Sequence, residues 1–321
     1  MDWKNEFLKL YMSSTAGSLD KALELKRNHL PQKLYRYRKA DNLEHLKNEI
    51  CKGRIFLSSP SIMNDPFDSC SLLSEHNPSM YAQTKIEYAK KYKNILDDKT
   101  LKKIFGSDNW LEELVAYIAT KYVSIEQVDS AKGKVLELIM SGMEEINSDI
   151  NDIISKTSRI ACFTEKAFNL PMWNHYANGH KGVCLEYSID SIQNIQNTNR
   201  LFPVKYTEKL PDGLLLLKEQ KSSNSVFLEY FLMHKLIDWH YESEWRLIYD
   251  IGAWHNDPNK VHFKFFENVV PIKFALPSTV YLGAEISKTN ENEIRKWCSE
   301  HSISVQKNAV YRVWFKSYPI D

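Results

Sequence analysis

Lys33-Leu34-Tyr35-Arg36-Tyr37-Arg38 alternates aromatic and basic side chains with a period of two. That is the pattern of a β-strand with one apolar and one cationic face, and Arg36 and Arg38 share the cationic one. Downstream, Leu43, Leu46 and Ile50 keep helical spacing up to Gly53. Arg54-Ile55-Phe56-Leu57-Ser58 then reads as a second strand, running into Ser59-Pro60 and the turn Asn64-Asp65-Pro66-Phe67-Asp68. Upstream, Trp3, Phe7, Leu10 and Tyr11 form the stripe of an amphipathic helix, and a second helical stretch ends at Pro31. From Pro78 to Ser155 the sequence is helix-forming and poor in strand signals. Beyond it, strands are predicted at Arg159–Thr164, Gly182–Tyr187, Leu201–Tyr206, Trp245–Tyr249, Val261–Phe266, Ser278–Leu282 and Val310–Phe315. Helices are predicted at Leu170–Asn178, Val226–Leu236 and Asn290–His301. Strands in uneven clusters between helices predict an α+β fold with a mixed or antiparallel sheet rather than a doubly wound parallel one. The expected organisation is a core built from residues 1–77 and 156–321, with 78–155 as a helical insert that offers a partner or dimer surface.

Composition narrows the function. The 321 residues carry 42 Lys+Arg against 41 Asp+Glu, so no global field draws the protein to nucleic acid or membrane. The 43% of hydrophobic residues suffices for a core and excludes disorder. Only 10 glycines are present, with no G-x-G-x-x-G and no GxxxxGK[ST], so a bound nucleotide would not be cradled by a Rossmann turn or a P-loop. Cys51, Cys70, Cys162, Cys184 and Cys298 lie far apart without a C-x-x-C, which argues against a disulfide framework and a zinc ribbon. The Met1-Asp2-Trp3-Lys4 start lacks a signal-peptide pattern, and apolar runs such as Leu214–Leu217 are too short for a bilayer. The expectation is a cytoplasmic protein.

Three constellations could carry chemistry. Arg36 and Arg38 are either a salt-bridged strand face or a bidentate grip on phosphate. Asn64-Asp65-Pro66-Phe67-Asp68 is first a turn, and second a set of groups able to orient a ribose. His240-Tyr241-Glu242-Ser243-Glu244-Trp245-Arg246 is the sharpest: in an extended conformation Glu242, Glu244 and Arg246 point one way. A Glu-x-Glu pair suits chemistry at a sugar, one carboxylate stabilising an oxocarbenium-like centre while the other orients or activates an acceptor. The competing reading is a solvated edge with Arg246 neutralising Glu244. Trp173 and Tyr176 read as core or as a stacking platform beside His175, and no spacing of histidines suggests a metal site.

Taken in order, Leu34–Arg38, Arg54–Asp68, Cys162-Phe163-Thr164-Glu165, Met172–Tyr176, Gly182–Glu186 and Tyr241–Arg246 resemble the bacterial family known as domain of unknown function 2971, over residues 33–250. A more distant likeness is to ADP-ribosyltransferases of the arginine-serine-glutamate type, although the middle motif reads Cys-Phe-Thr-Glu rather than Ser-Thr-Ser and no glycine follows the first. That resemblance implies an ADP-ribosyltransferase-like fold and NAD as co-substrate. Arg36, or Arg38, would hold the NAD phosphates or the adenosine ribose. Thr164 would support the ribose-binding strand, and Asn64, Asp65, Trp173, His175 and Tyr176 would complete the NAD site. Glu244 would stabilise the oxocarbenium ion, and Glu242 would face the acceptor, a protein, a nucleic acid or water. By the same resemblance the chain would be a toxin-like effector, in phage defence for example. The rival readings are a non-catalytic sensor or interaction protein with a structural Arg/Glu ion-pair network, and a Mg²⁺-dependent nuclease using Asp65, Asp68, Glu242 and Glu244.

Overall fold

A computed structural model describes residues 2–72, 78–193, 197–213, 216, 224–249, 267–310 and 315–319. The chain divides into two compact units, one of Met1–Cys70, Ile153–Leu210 and Gln220–Asp321, the other of Ser71–Asp152 and Pro211–Glu219.

The first unit is built on strands β1 (Lys33–Arg38), β2 (Arg54–Ser58), β3 (Arg159–Thr164), β4 (Val183–Ser188), β5 (Leu201–Pro203), β6 (Lys205–Thr207), β7 (His234–Leu236), β8 (Glu244–Tyr249), β9 (Val269–Lys273), β10 (Thr279–Leu282), β11 (Ser304–Val310) and β12 (Phe315–Pro319). Ten of them form one sheet in the order β12-β11-β10-β4-β1-β3-β2-β9, with β8 on β3 and β5 on β8. The pairings are antiparallel except β10 with β11, and β6 pairs in parallel with β7 in a separate two-stranded sheet. The fold is therefore α+β with a mixed, mostly antiparallel sheet. No helix among the described residues is long and apolar enough to cross a membrane.

Strand alternation sorts the two faces. After α1 (Trp3–Tyr11) and α2 (Ser18–Asn28) comes α3 (Leu43–Lys52), and Leu34, Ile55, Leu57, Ala161, Phe163, Leu185, Trp245, Leu247 and Val280 pack with its Leu46 and Ile50 and with a C-terminal helix, Lys288–Glu300, through Ile294, Trp297 and Cys298. On the opposite face a smaller cluster joins Tyr37, Cys184 and Tyr281 to Met172, Trp173 and Ala177 at Leu170–Tyr176. Both ends of α3 follow from the sequence: Asn42 caps its first turn by accepting from the His45 amide, and Gly53 ends it at φ 55°. A side chain at Gly53 would press its Cβ against the Phe274 carbonyl oxygen at 2.6 Å.

Several predicted elements differ in the structure. The run Val226–Leu236 is helical at Asn224–Leu232 and then extends as β7, where His234 bonds its Nδ1 back to the Tyr230 carbonyl at 2.6 Å. Leu201–Tyr206 is two strands in two sheets, broken at Val204, whose amide donates to the Glu244 carbonyl. Val261–Phe266 lies outside the described residues. Val310–Phe315 covers only the adjoining ends of β11 and β12, which run antiparallel with Val310 opposite Phe315. β9 was not anticipated, because Pro271 interrupts the short run Val269–Lys273, yet Val270 and Ile272 fill the core.

The second unit holds helices Pro78–Tyr92, Asp98–Gly106, Trp110–Ala119 and most of Val128–Thr157. Its own core gathers Leu96, Ile104, Trp110 and Leu114. Residues 211–219, distant in sequence, join it: the Gly213 amide donates to Ser71 Oγ, which itself donates to Asn147.

Candidate functional site

The site grows from an irregularity in the sheet. β3 pairs with β8 along its whole length, from Arg159 opposite Tyr249 to Thr164 opposite Glu244. Its other edge is shared: β1 meets it at Tyr35 opposite Thr164, and β2 at Ser58 opposite Ile160. Between those two points backbone carbonyls lack a ladder partner, and buried carbonyls need donors. Arg36 supplies them, donating through Nη1 to the Cys162 carbonyl (3.2 Å) and through Nη2 to that of Phe56 (3.1 Å). Its guanidinium also lies 5.5 Å from the centre of the Phe163 ring. Glu49 of α3, fully buried, draws both strand arginines, with Arg38 Nε at 2.9 Å and Arg36 Nε at 3.5 Å. The salt-bridged strand face anticipated as one of two readings is thus present.

The gap opens a cleft of about 420 Å³, within the size range of small-molecule sites, roughly 300–1,000 Å³. Arg36, Arg38, Lys39 and Ser58 line it together with Thr164, Lys235, Glu242 and Glu244, and with Asn64, His175 and Tyr176. By register, Tyr35, Thr164 and Glu244 share one sheet face and Arg36 projects from the other. They reach one cleft because the sheet is parted there. Two predicted residues are elsewhere. Trp173 is fully buried in the smaller cluster with its Nε1 donating to the Ala167 carbonyl, and Asp65 spends Oδ1 on the Phe67 amide within its turn.

At the acidic end, five charged side chains are interlocked. Arg246 Nε and Nη2 grip Glu244 at 2.8 and 3.0 Å, Nη2 also donates to Asp68 at 2.8 Å, and Nη1 donates to Ser69 Oγ and to the Leu232 carbonyl. All five of its donors are used. Lys235 places its ammonium 2.7 Å from Glu242, 3.3 Å from Glu244 and 3.3 Å from Asp68. The remaining oxygen of Glu242 accepts from the Tyr176 hydroxyl at 2.6 Å. Glu242 does not lie on the strand as the extended reading had it. It ends a tight helical turn, Ile237–Glu242, and Ser243 at φ 46° reverses the chain before β8 begins. Thr164 fixes that turn by donating its hydroxyl to the Glu242 carbonyl.

The two carboxylates are consequently unlike. For Glu244 burial opposes ionisation, but Arg246 and Lys235 outweigh it and hold the carboxyl far below its ordinary range. For Glu242 burial and the neighbouring Glu244 prevail over Lys235 and Tyr176, and its pKa is raised. Burial alone would lower Lys235; Glu244 and Asp68 raise it instead. With all five ionised, three carboxylates face two cations, and the raised pKa assigns the surplus negative charge to Glu242. Burial pushes the Cys162 thiol, which also lines the cleft, well above its usual value, so it is not a ready nucleophile.

Lys235 is the member that residue patterns did not assign to the site, and Asp68 entered only through its turn and the nuclease reading. The sequence carries no clear signal for Lys235, since a lysine at the end of the run Val226–Leu236 is by default solvated. The carboxylates of Asp68, Glu242 and Glu244 converge on its ammonium, and among the described residues no group of three or more His, Cys, Asp or Glu side chains is arranged to hold a metal ion.

Residues 172–247 match the model of a protein family of unknown function, DUF2971. No curated protein and no solved structure matches the chain. The matched segment runs from the helix bearing Tyr176 to β8, so it contains Tyr176, Lys235, Glu242, Glu244 and Arg246 and leaves out Arg36, Arg38 and Thr164.

Proposed function

We propose that the chain is an enzyme that cleaves NAD at the nicotinamide–ribose bond and passes ADP-ribose to a macromolecular acceptor or to water. One observation carries the reading: residues 208 positions apart, Arg36 and Glu244, line a single cleft that holds both cationic groups and a proton-labile carboxylate, Glu242. The diphosphate would lie along Arg36, Arg38 and Lys39. The ribose would lie toward Glu242.

In the reaction the C1′–N bond breaks with its electron pair leaving on the nicotinamide nitrogen, and the ribose becomes an oxocarbenium ion. Glu242, carrying the site's surplus negative charge, stabilises that cation and accepts the proton of the acceptor hydroxyl or water as its oxygen bonds to C1′. Glu244, fixed by Arg246 and Lys235, sets the field that keeps Glu242 near its proton. Two carboxylates in different environments take different roles. Incubation with NAD and measurement of free nicotinamide tests the reading; absence of both binding and cleavage, with and without candidate acceptors, refutes it.

A second reading has its own observation. All donors of Arg246 and Lys235 are already engaged within the protein, as in a structural ion-pair network of a non-catalytic sensor or interaction protein. Toxin-like action in phage defence is a proposal that belongs to the transferase reading alone.

A further inference from the structure

Tyr176 stands where two separate segments of the chain close on each other. Its helix, Leu170–Tyr176, is capped by Asn169, whose amide group also donates to the Tyr241 carbonyl at 2.8 Å; Lys166 donates to that same carbonyl at 3.1 Å. The next residue, Glu242, receives the Tyr176 hydroxyl on Oε1 and Lys235 on Oε2. The segment Lys166–Tyr176 and the turn that carries Glu242 are thus joined by three polar bonds. Only the Tyr176 bond touches a group proposed to react.

We infer that Tyr176 is a positioning residue: its hydroxyl orients the Glu242 carboxylate toward the cleft and favours its ionised form. The inference rests on the reading of Glu242 as the reacting carboxylate. Glu242 is faced by Glu244 from β8, Lys235 from β7, Tyr206 from β6, Tyr241 from its own turn and Tyr176 from the helix, with Asp68 and Arg246 behind Lys235. Of these groups, Lys235 and Tyr176 donate hydrogen bonds to the carboxylate. Lys235 is shared with two other carboxylates, whereas the Tyr176 hydroxyl has, besides Glu242, a single long contact from Asn64 Nδ2 at 3.5 Å, so its removal perturbs the carboxylate with little else. A hydrogen bond to the charged form stabilises that form, so its removal moves the titration of Glu242 upward. The surrounding charges raise the carboxyl already, and the loss adds to that shift.

The test uses Tyr176→Phe, which removes one oxygen and keeps the ring in its cluster. The protonated-carboxyl infrared band of Glu242 is isolated by subtracting the spectrum of Glu242→Gln, and followed from pH 4 to 9. In Tyr176→Phe it is expected to titrate about one pH unit higher than in the wild type, the worth of one hydrogen bond to a charged group. In NAD cleavage the acidic limb moves by the same amount, and turnover on the plateau falls about tenfold with KM unchanged. An unchanged titration in a folded variant overturns the inference even where the wild type cleaves NAD. A shifted titration in a protein that never cleaves NAD supports the positioning and refutes the NAD reading.

Discussion

Glu244→Gln and Glu242→Gln are expected to differ sharply in stability. Glu244 is 2% exposed and accepts two bonds from Arg246 and one from Lys235. A glutamine keeps one acceptor and turns an amide NH₂ toward groups that can only donate. Arg246 and Lys235 then remain buried with one carboxylate fewer, and breaking a buried pair by removing one partner costs about 3–5 kcal/mol. Glu242 is equally buried, but its charge is the surplus one and Glu244 beside it opposes that charge. In Glu242→Gln the amide oxygen still accepts from Tyr176, Lys235 keeps Glu244 and Asp68, and a like-charge repulsion disappears, for a net cost of about 1 kcal/mol. The gap of at least ~2 kcal/mol corresponds to urea midpoints about 1 M apart for slopes of ~1–3 kcal/mol/M. Equilibrium unfolding followed by fluorescence measures it, since the buried Trp245 lies next to Glu244 in β8. Activity runs in the opposite sense: Glu242→Gln lowers nicotinamide release by about 10²–10³-fold with NAD affinity retained. Equal midpoints, or a lower one for Glu242→Gln, would refute the division of labour between the two carboxylates.

Glu242, with its pKa raised in the fold, binds a proton there that the unfolded chain releases near pH 4.3. Its stabilisation is therefore complete below that pH and is lost as pH rises through the folded value; thermal unfolding at stepped pH should show Glu242→Gln gaining on the wild type across that window. His234 acts in the other direction. Burial holds its imidazole down to about 4, so its contribution is present above the unfolded value of ~6.5 and is lost as pH falls toward 4, about 3 kcal/mol in all; a variant His234→Gln with the same acid profile as the wild type would contradict this. Gly182→Ala and Gly283→Ala should each destabilise by about 3 kcal/mol or more, because their Cβ atoms would overlap the carbonyl oxygens of Arg38 and His180 where β1, β4 and β10 converge; a variant that melts as the wild type does would show that the strands separate freely. Arg38→Ala should weaken NAD binding with a smaller loss of stability than Arg36→Ala, which also strips the Cys162 and Phe56 carbonyls of their donor; calorimetric binding and denaturation on the same samples separate the two effects.

The spacing of Leu43, Leu46 and Ile50 read correctly because one helix face is buried against the core, and Lys33–Arg38 read correctly as a strand. Its faces did not sort as apolar and cationic, because both are covered: Leu34 and the paired Arg36 lie toward the main core and Tyr37 in the smaller cluster. β7 was hidden because the apolar run through Leu232 continues without a break residue, and only pairing with β6 turns the chain from helix to strand after it. Ser243 concealed the end of the strand for a related reason: a left-handed serine carries no signature, as glycine would. The site was legible as residue types and not as partners. Glu-x-Glu announced paired carboxylates. The competing reading also anticipated that Arg246 would neutralise Glu244, although at a solvated edge rather than in the interior. That Glu242 would be left with the surplus charge depends on Asp68 and Lys235, which residue patterns do not place beside it.

The geometry also explains why the arginine half and the carboxylate half are unlike in their dependence on the rest of the chain. Within the matched segment, 172–247, Glu242 finds both its hydrogen-bond partners, Tyr176 and Lys235, and Glu244 finds Arg246. Asp68 and Ser69 lie outside that segment but serve only to complete Arg246 and Lys235. Arg36, by contrast, is held wholly from outside it, by carbonyls of β2 and β3 and by Glu49 on α3. The cleft exists because β1 and β2 share one edge of β3, an arrangement that the matched segment does not encode. A chain carrying that segment without a strand like β1 would keep the proton-labile carboxylate and lack the cationic wall. On the proposed NAD-cleaving reading, ligand choice resides in the pairing of β1 with β3, and the reacting group in the turn before β8.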